Sequence, residues 1–189
     1  MRKTILISVA LITLSFISCY KVPISGRRQM NLLPNSFLNE MSLTQYREFL
    51  GKNKPMPAGE KDVDMVKNVG QKIANSVKQF LSQQRQSKRI AGFKWEFNLV
   101  NDNTVNAWCM PGGKVVVYTG LLPITQNETA LAIVMGHEIA HAIARHGNER
   151  MSQALALQGI QLGADIYLTI KNPQTVSIFN QAFGLSSGL

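Results

Sequence analysis

Cysteine is scarce in this 189-residue chain, which has only Cys19 and Cys109. If Cys19 is modified, as its context below suggests, Cys109 has no intrachain partner and the fold holds without a disulfide. Apolar runs are short too. The stretch 5–17 covers thirteen residues, well under the roughly 20 that a helix needs to span a bilayer. No internal repeat and no low-complexity tract interrupts the sequence. Charged residues make up only 16% and apolar residues 45%, the balance of a globular chain and not of a disordered one. Acids are few, 11 against 20 Lys and Arg, for a formal net charge of +9. The basic residues are scattered, with Arg27, Arg28, Lys52, Lys54, Arg85, Lys88 and Arg89 along the first half. They read as a solvated basic face, the alternative being attraction to anionic lipid. No nucleic-acid motif accompanies them, so a nucleic-acid partner is not expected.

The beginning of the chain reads as a leader. Met1-Arg2-Lys3 is a short basic region before the apolar stretch, the pattern of a secretory signal. It ends in Phe16-Ile17-Ser18-Cys19, which resembles a bacterial lipobox with Phe at the usual Leu position. Residues 1–18 are then a lipoprotein signal peptide and Cys19 is the lipidated first residue. Several acyl chains there would hold the protein on a membrane firmly. The expected location is the cell envelope, on a periplasm-facing surface and in the outer membrane. Residues 20–33, with Pro23, Gly26 and basic side chains, read as an extended tether. Apolar residues at 35–50 suggest a helix, and 51–59 is a loop with Pro55 and Pro57.

Further on, Val63, Val66, Val69, Ile73, Val77, Phe80 and Leu81 recur every three or four residues and predict a helix over 61–84. Phe93, Trp95, Phe97 and Leu99 alternate with polar residues and predict a half-buried strand. Residues 114–118, all but one apolar, predict a second strand, with Asn106-Ala107-Trp108 shortly before it. Past His146, helical patterns run over 149–170 and 174–183.

The chain is organised around His137-Glu138-Ile139-Ala140-His141, a match to H-E-x-x-H within a helix predicted over 126–146. Thr125 reads as its N-cap with Glu128 three residues on, a capping box, and Gly147 as its stop. Leu131, Val134, Met135 and Ile139 recur on its core side. Residues i and i+4 lie one above the other on a helix. His137 and His141 can therefore reach one metal ion at about 2.0–2.1 Å, a geometry that suits zinc. Glu138, one step round, is placed to take a proton from a metal-bound water and not to bind the metal. Cys109 reads as a small buried apolar residue, the alternative being a thiol that approaches the metal.

Three segments in this order resemble the HtpX and CAAX-prenyl-protease type of zinc metalloendopeptidase, in its envelope lipoprotein branch. They are Asn106–Gly113, Val117–Leu122 and His137–His146. The resemblance covers residues 60–189, read as the metallopeptidase domain, with 19–59 as tether and N-terminal segment. It implies an α+β, zincin-like fold, mainly helical with a small sheet beside the H-E-x-x-H helix. It implies one Zn2+ per chain on His137 and His141, and polypeptide substrates, misfolded ones among them. It also implies a strand beside the cleft, formed by Asn106, Ala107, Trp108, Val116, Val117 and Tyr118, that pairs with extended substrate. His146 recurs in the family's helix, but its spacing does not put it beside the other two histidines, so it reads as supporting or structural.

A catalytic zinc site usually has three protein ligands, and the resemblance implies a Glu on a later helix in an E-x-x-x-D pattern. No such pattern follows His146, where the remaining acids are Glu149 and Asp165. Glu149 sits eight residues past His141, about 12 Å away on a continuous helix. The expectation is therefore an N-terminal portion of a longer protease, or a truncated product, with weak zinc binding and low or absent peptidase activity. A non-catalytic envelope lipoprotein with a binding or chaperone-like role is the competing reading.

Overall fold

A computed structural model describes residues 19–22, 26–157 and 172–185. The expected signal peptide, the helical pattern beyond Leu157 and Asp165 lie outside them. The chain enters through a small antiparallel pair, β1 (Cys19–Lys21) and β2 (Arg28–Met30), with Tyr20 opposite Gln29. Two long helices follow, α1 (Asn35–Lys52) and α2 (Lys61–Gln83). Asp62 and Asp64 lie in the first turn of α2, where negative charge complements the helix dipole. A three-stranded sheet comes next, formed by β3 (Glu96–Val100), β4 (Ala107–Met110) and β5 (Lys114–Tyr118). The last part is helical: a single turn α3 (Leu122–Thr125), then α4 (Glu128–Ala144), α5 (His146–Leu157) and α6 (Pro173–Ala182). The expected mix of helices and a small sheet is what forms, with three strands in that sheet instead of the two expected, and β1 and β2 in addition. Among the described residues, no helix is long and apolar enough to cross a membrane.

The sheet order is β3-β5-β4. β5 runs parallel to β3 and antiparallel to β4, with Leu99 and Ala107 both opposite Val117. Gly112 and Gly113, at φ 84° and 82°, make the tight turn from β4 to β5. A Cβ on Gly113 would sit 2.9 Å from the Trp95 ring, so glycine serves both the left-handed backbone and the close approach.

Strand periodicity divides the core in two. On one face Phe97, Leu99, Ala107, Cys109, Val115 and Val117 pack with Val66 and Val69 of α2 and with Leu131, Met135 and Ile139 of α4. On the other, Trp108, Met110, Val116 and Tyr118 pack with Phe37, Met41 and Tyr46 of α1, Met151 of α5 and Phe179 of α6. A sheet covered on both faces needs apolar residues at successive positions, which is why β4 and β5 read as unbroken apolar runs. Lys114 is the exception, a buried lysine that donates to the Lys94 carbonyl at 2.7 Å and pairs with Glu96.

Residues before Glu60 are not peripheral. Leu33, Phe37, Leu38, Met41 and Tyr46 belong to the second core. The stretch expected as a tether is stitched down as well. Gln29 donates to the Ala144 carbonyl at 2.9 Å, the Leu32 N–H donates to Ser152 Oγ at 3.0 Å, and Asn148 donates to the Leu33 carbonyl at 3.0 Å.

Candidate metal centre

Both ends of α4 differ from the sequence expectation, and both differences matter for the site. Its N-cap is Asn127, whose Oδ1 accepts from the Ala130 N–H at 2.9 Å. Thr125 instead closes the single turn α3 and turns its hydroxyl back to the Leu121 and Leu122 carbonyls. The helix stops at Ala144, not at Gly147, because Arg145 takes a left-handed conformation, φ 61°. Arg145 thus does what glycine commonly does at a helix end. Gly147 lies inside α5 and is needed for room, since a Cβ there would fall 2.0 Å from the Phe183 ring.

Leu131, Met135, Ile139 and Ala142 fix one side of α4 in the core. That leaves His137 and His141 stacked on another side, Nε2 to Nε2 2.9 Å, with ring centroids 4.4 Å apart and planes at 89°. Two ligands held tetrahedrally at about 2.0–2.1 Å from one ion would be roughly 3.3 Å apart, so the pair fits a single metal after a small adjustment. Burial, then the neighbouring His137, His146 and Arg150, push the His141 imidazole down to about 4. Burial, with Arg27 and Arg150, also lowers His146. A neutral imidazole is the form that binds metal.

Glu138 faces a cleft of ≈ 200 Å³ shared with His141, Asn106, Ala107, Cys109 and Arg150. Burial raises its carboxyl above the ordinary 4.5, against the lowering pull of His137 and Arg150. A carboxylate made more basic by its surroundings suits proton transfer near neutral pH. Cys109 is buried, and burial, followed by the charge of Glu138, drives its thiol well above the usual range. It is held as the thiol, in line with the apolar reading. A second, largely apolar cleft of ≈ 450 Å³ lies on the other side of the histidine pair, between Val77, Phe80 and Leu81 of α2 and His137 and His146.

The strand expected beside the cleft divides into a part that borders the cleft and a part in the middle of the sheet. Asn106, Ala107 and Trp108 border the Glu138 cleft, and β4 has a sheet partner on one side only. Val116, Val117 and Tyr118 belong to β5, which is paired on both sides, so they have no edge to offer a substrate. Their role is to carry β4. Trp108 also donates to Tyr118 Oη at 3.2 Å and packs edge-on against Phe49 at 5.0 Å.

His146 is a correction. The left-handed Arg145 turns the chain so that His146 Nδ1 meets His141 Nδ1 at 2.5 Å. Glu149, on the same new helix, accepts from Arg27 Nη1 and Nη2 at 2.7 and 2.5 Å. The arginine accordingly holds the Glu149 carboxyl below its ordinary range. Arg150, which no motif marks out, borders the Glu138 cleft and donates from Nε to the Ala182 carbonyl at 2.8 Å. Among the described residues, no third His, Cys, Asp or Glu joins the histidine pair in a group able to hold a metal.

Two converging imidazoles, an adjacent half-buried glutamate and an edge strand along the same cleft are the makings of a metal-dependent peptidase site. The chain belongs to peptidase family M48, whose family model matches residues 71–185. Peptidases of this family are metal-dependent. The chain is 31% identical over 166 residues to the mitochondrial metalloendopeptidase OMA1 of Schizosaccharomyces pombe, covering 87% of this chain and 45% of that protein. It is 42% identical over 76 residues to OMA1 of Arabidopsis thaliana, covering 40% and 16%. It is also 34% identical over 83 residues to the beta-barrel assembly-enhancing protease of Escherichia coli, covering 42% and 17%. The chain thus spans less than half the length of these relatives. These matches establish the family without singling out its HtpX branch.

Proposed function

We propose that this chain carries the metal site of a zinc-dependent endopeptidase of the cell envelope, acting on misfolded or misassembled polypeptides. The observation that supports it most is the 2.9 Å approach of the two Nε2 atoms beside a glutamate that shares its cleft with an edge strand. His137 and His141 hold one zinc ion per chain. When bound, zinc polarises the scissile carbonyl and acidifies water. Glu138 takes the proton of the attacking water and delivers it to the leaving amine, and its raised basicity favours the first transfer. An extended substrate adds to the unpaired side of β4 at Asn106, Ala107 and Trp108 by main-chain hydrogen bonds. That placement lays its backbone across the cleft lined by Glu138 and His141. Lipidated Cys19 keeps the site at a periplasm-facing membrane, in the outer membrane, and no nucleic acid takes part. No observation favours the non-catalytic alternative.

Zinc titration and casein cleavage by the chain and its Glu138→Gln variant test this reading. The variant keeps the zinc uptake of the parent chain, because Glu138 is not a ligand, and whatever cleavage the chain shows falls by about 10²–10⁴-fold. Measurable cleavage that is equal in both proteins refutes the assigned role of Glu138.

A further inference from the structure

We infer that His146 is a positioning residue that fixes the tautomer and ring angle of His141 through an Nδ1-to-Nδ1 hydrogen bond. The inference rests on the peptidase reading only in taking His141 Nε2 as the metal-facing atom. The two Nδ1 atoms are 2.5 Å apart, with centroids at 4.8 Å and planes at 64°. Nitrogens this close require one to donate and the other to accept. His141 must offer a lone pair at Nε2, the atom that approaches His137, so its proton belongs on Nδ1. His141 Nδ1–H is then the donor and His146 Nδ1 the acceptor, which leaves the His146 proton on Nε2. A partner on the far nitrogen of a ligating histidine is the usual means of fixing its tautomer and raising its basicity.

The arrangement is built from distant parts of the chain. Arg145 at φ 61° ends α4 one residue earlier and swings His146 off the α4 axis. Gly147 lets the start of α5 approach Phe183. Glu149, three residues on, is held by both terminal nitrogens of Arg27, and Gln29 ties the end of α4 to the entry hairpin. The hairpin therefore braces the helix start that carries His146.

Two polar substitutions separate positioning from bulk structure. In His146→Asn, the side-chain oxygen falls near the place of Nδ1 and still accepts. In His146→Gln, the amide reaches one bond further, toward the place of Nε2, and leaves His141 Nδ1 without its acceptor. Zinc affinity, read by competition with a chelator, should fall about 10–100-fold in His146→Gln and stay within a few-fold of wild type in His146→Asn. Long-range ¹⁵N spectra of the zinc-free chain provide a readout independent of the metal. His141 should be an Nδ1–H tautomer in wild type and His146→Asn, and a mixture in His146→Gln. Indistinguishable zinc affinity and tautomer in the two variants overturns the inference, as does an Nε2–H His141 in wild type. A wild-type chain that takes up no zinc but keeps the Nδ1–H His141 sinks the metal-site reading and leaves the positioning bond standing.

Discussion

Replacing Gly147 with alanine sets a helix-propensity gain against a steric loss, and magnitudes decide the sign. Gly147 is the second residue of α5 and is not among the glycines with positive φ, so alanine is preferred there by at most about 1 kcal/mol. The new Cβ would sit 2.0, 2.3 and 2.6 Å from Cε1, Cζ and Cδ1 of Phe183, far inside contact distance. The ring must leave. Phe183 is 8% exposed and stacks on Phe179 with centroids 4.4 Å apart. Expelling it forfeits about 1.5–3 kcal/mol of burial and about 0.5–1.5 kcal/mol of aromatic pairing. Gly147→Ala should therefore destabilise by about 1–4 kcal/mol net, seen as a lower urea midpoint with little change in slope. A double-mutant cycle isolates the cause. With Phe183→Ala as background the obstacle is gone, and the same glycine replacement should stabilise by up to about 1 kcal/mol. If Gly147→Ala has the same effect in both backgrounds, the ring is not what demands glycine and the reasoning fails.

Three further expectations follow from the same structure. Asn127→Ala removes the cap of α4 and should cost about 0.5–2 kcal/mol in urea unfolding; a neutral result would mean that another group caps the helix. In the metal-free chain His141 titrates at about 4 against an ordinary 6.5. Below pH 6.5 the unfolded chain takes up a proton that the folded chain refuses, so stability is whole above pH 6.5 and drains away toward pH 4. His141→Gln should flatten the urea midpoint across that window, and an unchanged slope counts against the burial argument. Glu149 is held below its ordinary 4.5 by Arg27, so the pair stabilises above that pH and fades as pH falls through the lowered value. Arg27→Ala should weaken the acid dependence below pH 4.5 and speed proteolytic nicking around residues 22–30; unchanged cleavage would detach the hairpin from α5.

Local rules made the heart of the site legible. The i, i+4 spacing of His137 and His141, and the apolar positions at Leu131, Met135 and Ile139, are properties of a single helix, and the helix obeys them. What escaped needed partners far away in sequence. Residues 26–33 look like part of a tether because nothing local orders them; Glu149, 122 positions from Arg27, together with Ala144 and Ser152, holds them. The sequence pattern points to Thr125 as the cap, but Asn127, two residues on, is the one that forms. Asparagine is the better cap, and the left-handed Gln126 between them, at φ 61°, separates the short turn from the long helix.

His146 shows why spacing alone misplaced a site residue. On an unbroken helix it would follow His141 by five positions, or 500° at about 100° per residue, and would point some 140° away. The break supplies the missing rotation, and it falls on Arg145, while the glycine that advertises a stop stands two residues later and serves packing. Edge and centre in the sheet were hidden for a related reason. β4 and β5 are both buried apolar runs, and only the order β3-β5-β4 decides which of them presents a free side to the cleft. In both places side-chain chemistry was readable, but the direction in which it acts is set by backbone geometry that several distant contacts enforce together.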